Sequence, residues 1–240
     1  MRKKSISIVF WIALAICTLF VVYGAILPKQ LEAITQNITS FIAVNFSWYY
    51  LLLVLIIFFI CVYLLFSRYA SITLGVEGEE PEFSLLSWFA MLFSAGMGIG
   101  LVFWTTAEPV SHAYKATPIH KIGTQAAIND AFQFAFFHWG IHAWAVYSIV
   151  ALVFAYFNFH KGYPGLVSAT LVPIFGEKRM RGPIGSAIDV LAVIATVTGV
   201  AATLGFGALQ INEGLHYLFK VPSHFGTQVI IIIIATILFS

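Results

Sequence analysis

Five stretches of this chain are apolar for about as long as a helix needs to cross a bilayer, and a sixth candidate is still apolar where the sequence stops. Roughly 20 residues at about 1.5 Å each span a hydrocarbon core of about 30 Å. The stretches run from about Ile6 to Leu27, Trp48 to Phe66, Leu85 to Trp104, Ala131 to Phe157, Ala187 to Leu209 or beyond, and Thr227 to Ser240. Composition points the same way: 60% of the 240 residues are hydrophobic and only 9% are charged. A soluble domain carries about 25% charged residues, so this chain can be neither a soluble globule nor a disordered segment. The spacing predicts an all-α integral membrane protein, a multi-span helical bundle organised as one membrane domain over residues 1–240. Net charge is +2 with the basic residues scattered, which gives no nucleic-acid surface. Cys17 and Cys61 both sit in apolar stretches, so neither a disulfide framework nor a cysteine metal site is expected.

Arg2, Lys3 and Lys4 precede the first stretch, as they would in a signal peptide. Its apolar run of about 22 residues is too long for that, and no A-x-A pattern follows, so a retained first helix is expected. With the N-terminus in the cytoplasm, the inside segments hold Arg2, Lys3, Lys4, Arg68, Lys161, Lys178, Arg179 and Arg181. The outside loops hold Lys29, Lys115, Lys121 and Lys220, so the basic excess favours this orientation in the cell membrane. The acidic run Glu77, Glu79, Glu80, Glu82 falls inside but weighs little. Residues from His112 to Asn129 read as a loop outside the bilayer. Residues from Tyr163 to Phe175, broken by Pro164 and Pro173, read as an interfacial segment too short to span.

The third stretch contains Ser94-Ala95-Gly96-Met97-Gly98-Ile99-Gly100. Each interior glycine weakens a helix by about 1 kcal/mol relative to alanine. Gly96 and Gly100 form a G-x-x-x-G pair suited to close helix packing. The same run also suits local unwinding that points carbonyls at a cation or ligand. Glu108-Pro109 reads as the end of this helix, with Glu108 a solvated or capping carboxylate at the outer interface.

In the fourth stretch, Asn129 or Asp130 is a plausible N-cap. On a continuous helix Trp139, Tyr147 and Trp144 share an arc of about 140°. Rings so placed suit core packing, an interfacial belt, or a cage for a cation that cannot donate strong hydrogen bonds. His138 and His142 stand one turn apart, a weak pattern for a transition metal, because no third ligand and no H-E-x-x-H accompanies them. In the fifth stretch Asp189 reads as a first-turn acid favoured by the helix dipole. Thr196, Thr198 and Thr203 with Gly199, Gly205 and Gly207 suit close packing, and threonine hydroxyls also suit sodium.

Taken in order, several segments resemble the betaine/choline/carnitine transporter family. They are Ala95-Gly96-Met97-Gly98-Ile99-Gly100-Leu101, Ala107-Glu108-Pro109, His138-Trp139-Gly140 with Trp144 and Tyr147, and Gly205-Phe206-Gly207-Ala208-Leu209-Gln210. The resemblance covers nearly the whole chain. It implies a secondary transporter of twelve helices, ten of them in two inverted five-helix repeats behind two extra N-terminal helices. On that map residues 6–66 are the extra helices, the first repeat opens at about residue 85, and the chain ends inside that repeat. The resemblance also implies that Trp139, Trp144 and Tyr147 are half of an aromatic box. Met97, Gly98 and Gly100 would lie against substrate, and Ser94, Met97 and Thr196 would help to hold sodium. A second threonine expected four residues after Thr196 is Val200 here, which puts two-sodium coupling in doubt and raises proton coupling.

The expected function is therefore uptake of a small quaternary ammonium osmolyte, glycine betaine or choline, driven by a sodium or proton gradient, with no organic cofactor and no enzymatic activity. The resemblance also implies a homotrimer. The competing readings are an inert truncated fragment and a membrane enzyme built on a His138–His142 metal.

Overall fold

A computed structural model describes residues 7–75, 78, 80–96 and 98–239. All regular structure among these residues is helical. The order is α1 (Ile8–Ile26), α2 (Pro28–Phe66), α3 (Leu85–Gly96), α4 (Ile99–Tyr114), α5 (Gln125–Trp139) and α6 (Ile141–Ala155). Three four-residue helices follow, α7 (Val167–Thr170), α8 (Val172–Phe175) and α9 (Glu177–Met180), then α10 (Pro183–Phe219) and α11 (Phe225–Phe239). Met97, Arg2, Lys3, Lys4, Glu77 and Glu79 lie outside the described residues.

Among the described residues four helical runs are long and apolar enough to cross a membrane: Ile8–Ile26, Pro28–Phe66, Gln125–His160 and Pro183–Phe219. Leu85–Ser94 and Phe225–Leu238 are apolar but shorter. Among the described residues α3 stops at Gly96, and Gly98 caps the start of α4. The protein is an all-α membrane protein with several spans.

Burial follows the logic of a lipid solvent. The buried apolar residues are mostly alanines, among them Ala13, Ala113, Ala127, Ala131, Ala145, Ala169 and Ala208. Large side chains such as Leu19, Phe20, Leu51, Ile56 and Phe59 stay exposed. Lipid tails are as apolar as leucine, so helices meet where small residues let backbones approach, and bulky residues face outward.

The chain forms two compact units. The first comprises Met1–Glu79 and Trp139–Val197. Here α1 is capped by Ser7, whose hydroxyl accepts the Val9 N–H at 3.2 Å, and α2 starts with Pro28 in its first turn. The second helix was expected from Trp48, but α2 begins twenty residues earlier. Residues 29–66 contain no glycine or proline to stop it. Its 39 residues, about 58 Å at 1.5 Å each, exceed the bilayer core, so the polar turns around Lys29, Glu32 and Gln36 extend the span rather than form a loop. The α2–α6 packing is marked by Cys61, whose thiol donates to the Ala145 carbonyl at 3.5 Å. The Phe58 and His142 rings are 6.0 Å apart across the same seam.

The fifth stretch also starts earlier than expected, at Pro183, so Asp189 is not in the first turn. It is 7% exposed and accepts the Ser168 backbone N–H at 2.9 Å and the Ser168 hydroxyl at 2.7 Å. A carboxylate at this depth is stabilised by bonds to the start of α7, not by its own helix dipole. Gly185 permits the turn before α10: a Cβ there would sit 1.7 Å from the Met180 carbonyl oxygen.

The second unit comprises Glu80–His138 and Thr198–Ser240. Here α4 packs on the later part of α10. Phe103 stacks on Phe206 at 5.0 Å, and Trp104 meets the same ring edge-on at 5.6 Å. The helix expected to end at Glu108-Pro109 continues to Tyr114 with Pro109 inside it. Proline removes one N–H, the one due to the Thr105 carbonyl, but residues beyond it resume the ladder, and Lys115 N–H reaches Ser111 O at 2.9 Å. The cap of α5 is Thr124, whose hydroxyl accepts the Ala127 N–H at 3.2 Å, and not Asn129 or Asp130. Asp130 is 6% exposed and instead accepts the His120 ring N–H at 2.6 Å and its backbone N–H at 3.2 Å. Gly123, in the turn before the cap, has φ +75° and returns its N–H to Ala113 O at 3.1 Å.

Candidate functional site

In the first unit, the aromatic cluster is built around a helix break. α5 ends at Trp139 and α6 starts at Ile141, with Gly140 as its extended N-cap (φ −85°, ψ −153°). The arc drawn on one continuous helix therefore does not apply between Trp139 and Trp144. The indole N–H of Trp144 donates to the Trp139 carbonyl at 3.1 Å, across the break. One turn further, the Tyr147 ring stands edge-to-face with Trp144, centroids 6.1 Å apart and planes at 77°. Trp139 and Trp144 are each 37% exposed and Tyr147 is 50% exposed.

With its N–H engaged by backbone, Trp144 presents mainly π surface. Such a face attracts a cation, worth about 0.5–2 kcal/mol per contact, and asks for no hydrogen bond in return. A methylated ammonium has none to offer.

Thr196, in the same unit, donates its hydroxyl proton to Ala192 O at 2.8 Å. That leaves the oxygen's lone pairs, which can accept a cation. Val200, one turn on, is 53% exposed and carries no oxygen in its side chain.

In the second unit, the break between α3 and α4 leaves a helix C-terminus next to a helix N-terminus. A helix end leaves up to four carbonyls without intrahelical donors, the chemistry a bound cation uses. Ser94 lies in the last turn of α3. Gly98 carries its carbonyl toward the N–H groups of Leu101 and Val102, at 3.1 and 3.3 Å. A Cβ on Gly100 would meet Thr203 Cγ2 at 3.7 Å, and one on Gly98 would meet nothing nearer than Ser94 O at 4.0 Å. Neither distance forces glycine on steric grounds.

Glu108, read from sequence as a solvated or capping acid, is 12% exposed and partnered. It accepts from His112 Nε2 at 3.2 Å, one turn along α4, and it bonds His138 Nδ1 from the end of α5. His138 was paired by sequence spacing with His142, but the break at Gly140 puts the two on different helices. His142 packs toward Phe58 instead. The signal that was missed is the spacing of Glu108 and His112, which counts only if the helix continues past Pro109.

With the broken α3–α4 helix, the Trp144–Tyr147 pair and the Gly140 break described, comparison with known proteins decides the family. The family model described as BCCT, betaine/carnitine/choline family transporter, matches residues 8–240. The chain belongs to this family. The BCCT chain is 55% identical over 98% of its length to the glycine betaine transporter OpuD of Bacillus subtilis (strain 168), of which it covers 46%. It is 43% identical over 99% of its length to a probable glycine betaine transporter of Desulfitobacterium hafniense (strain Y51), covering 47% of it. It is 37% identical to an osmo-dependent choline transporter of Acinetobacter baylyi (strain ATCC 33305 / BD413 / ADP1), over 96% of this chain and 33% of that one. The chain thus spans about half or less of the curated relatives it matches. BCCT proteins are multi-pass membrane transporters, which removes the membrane-enzyme reading.

Proposed function

We propose that this BCCT chain belongs to an uptake system for glycine betaine or choline, driven by a sodium or proton gradient. The observation that carries the reading is the Trp144–Tyr147 edge-to-face pair, whose indole N–H is already bound to Trp139 O. The printed names of the relatives, two of them glycine betaine transporters and one a choline transporter, support the same substrate class. Trp139, Trp144 and Tyr147 hold the trimethylammonium group through their ring faces. Gly98 and Gly100 act from the start of α4, where backbone contributes to substrate or ion contacts, and Met97, outside the described residues, is proposed as a further substrate contact from the sequence.

Ser94, Met97 and Thr196 are the proposed sodium contributors. Val200 removes one side-chain oxygen from the fifth stretch, which favours a lower sodium stoichiometry or proton coupling. The protein acts in the cell membrane as one membrane domain with its N-terminus in the cytoplasm, the basic side of the chain. The map of inverted repeats and the trimeric state rest on family resemblance.

The test is uptake of labelled glycine betaine and choline by the intact protein, with sodium and pH varied independently. Saturable uptake of either compound that depends on one of the two gradients is the expected result. Uptake of neither would overturn the reading.

A further inference from the structure

We propose that Glu108, His112 and His138 form a binding site for a divalent transition-metal ion of the zinc class, joining α4 to α5. Three observations converge on it.

The first is position. Glu108 and His112 lie four residues apart on one face of α4, and His138 approaches from the last turn of α5. One donor atom from each lies within 4.8 Å of the other two. A metal about 2.0–2.1 Å from its nitrogen and oxygen ligands spaces them roughly 3.3 Å apart in a tetrahedron. The Glu108 Oε1 to His112 Nε2 distance is already 3.2 Å. The other donor atoms lie within the same 4.8 Å and adjust to that spacing around the ion.

The second is donor chemistry. Two imidazoles and one carboxylate are the protein half of an open tetrahedral site, with the fourth position left to water or an anion. Imidazole selects zinc, copper, nickel, cobalt and iron over sodium, magnesium and calcium, which prefer oxygen. The site is therefore distinct in chemistry from the sodium contributors proposed above.

The third is access and environment. Glu108 and His112 are 12% and 21% exposed, so the donors are largely withdrawn from water, while His138 at 47% exposure provides an entry path. Phe134 lies 6.1 Å from the His112 ring and 6.3 Å from the His138 ring, and Phe137 is 5.9 Å from His138, giving the site an apolar wall. Among the described residues His112 Nδ1 is buried without a hydrogen-bond partner. Outer partners of ligating histidines are worth about 10–100-fold in affinity, so the site binds moderately rather than tightly.

The test uses the intact protein, purified in detergent through a tag without histidine, stripped with chelator and titrated with Co2+ and then Zn2+. The expected result is one saturable equivalent of Co2+ with the intense visible bands of four- or five-coordination, displaced by Zn2+. His112→Ala and His138→Ala each remove a ligand and weaken binding by more than the roughly 10–100-fold that loss of an outer partner costs. His142→Ala, which removes only the sequence neighbour, leaves it unchanged. His138→Cys keeps a ligand in place and brings a sulfur-to-cobalt charge-transfer band, a positive signal that also reports a folded site. Absence of saturable Co2+ binding, unaltered affinity in the two alanine variants, or no charge-transfer band in the cysteine variant would each overturn the proposal. The three side chains would then be only a hydrogen-bonded link between α4 and α5.

Discussion

The indole N–H of Trp144 is bound to the carbonyl of Trp139 across a helix break at Gly140. The bond does two things at once. It supplies a donor to a carbonyl at a helix end, and it holds the Trp144 ring in a fixed relation to Tyr147. With its N–H engaged, the ring offers a cation its face.

Replacing Trp144 by leucine removes both the face and the anchoring bond. At about 0.5–2 kcal/mol for a cation–π contact, affinity for betaine or choline should fall by about 2–30-fold. Trp144→Phe keeps a ring but loses the N–H, and should fall between wild type and leucine. Substrate concentration-dependence of uptake, with surface expression measured in parallel, checks the order. An unchanged affinity in Trp144→Leu would contradict it.

Gly185 and Gly100 should respond oppositely to alanine. A methyl at 185 meets the Met180 carbonyl at 1.7 Å, a clash with backbone that only movement of the α9–α10 turn can relieve. Overpacking costs about 1–3 kcal/mol and more where backbone must shift, so Gly185→Ala should lower the melting temperature in detergent clearly. Gly100→Ala meets Thr203 at an ordinary 3.7 Å and should leave the melting temperature near wild type. Equal melting temperatures for the two variants would show that the α9–α10 approach is not as close as described.

Asp189→Ala leaves the Ser168 N–H and hydroxyl without their buried acceptor. Loss of charged hydrogen bonds in such a place costs about 1.5–3 kcal/mol. The expected readout is faster amide hydrogen exchange confined to α7 and its flanks, together with reduced thermal stability. Unaltered exchange at Ser168 would show that the carboxylate does not hold that turn.

Thr196→Val and Val200→Thr probe the coupling ion from opposite directions. If sodium is bound near Thr196, removing its oxygen should raise the sodium concentration for half-maximal uptake about tenfold, about 1.4 kcal/mol. Restoring an oxygen at 200 should lower that concentration or steepen the sodium dependence. If both variants follow wild type in sodium and differ only in pH response, protons drive the transport.

Much of the fold could be read from the chain because its spans are set by a simple solvent rule. A helix in lipid must be long and apolar, and α1 falls within two residues of its expected bounds. Gly96, Gly98 and Gly100 marked the third stretch as one for either close packing or unwinding, and only the structure shows α3 and α4 as separate helices. Periodicity misled where polarity or proline was taken as an end. Lys29, Glu32 and Gln36 made the start of α2 look like a loop, although nothing there stops a helix. Pro109 looked terminal, although it costs only one hydrogen bond.

Candidate site residues were legible as types and less so as partners. The ring at 144 was singled out, but its bond to the 139 carbonyl depends on Gly140 breaking the helix, which a continuous helical wheel cannot represent. His138 was assigned to His142 by spacing, while its partners Glu108 and His112 lie 30 and 26 residues away. Asp189 likewise finds Ser168, 21 residues before it. Contacts of this kind depend on which helices pack together, and local pattern carries no record of that.

The most direct test compares glycine betaine with 3,3-dimethylbutanoate, which has the same shape but a carbon in place of the charged nitrogen, as competitors for uptake by the intact protein. If aromatic faces hold the cation, glycine betaine competes at least about tenfold better, and that margin shrinks in Trp144→Leu. Equal competition by the two compounds in the unaltered protein would contradict the account.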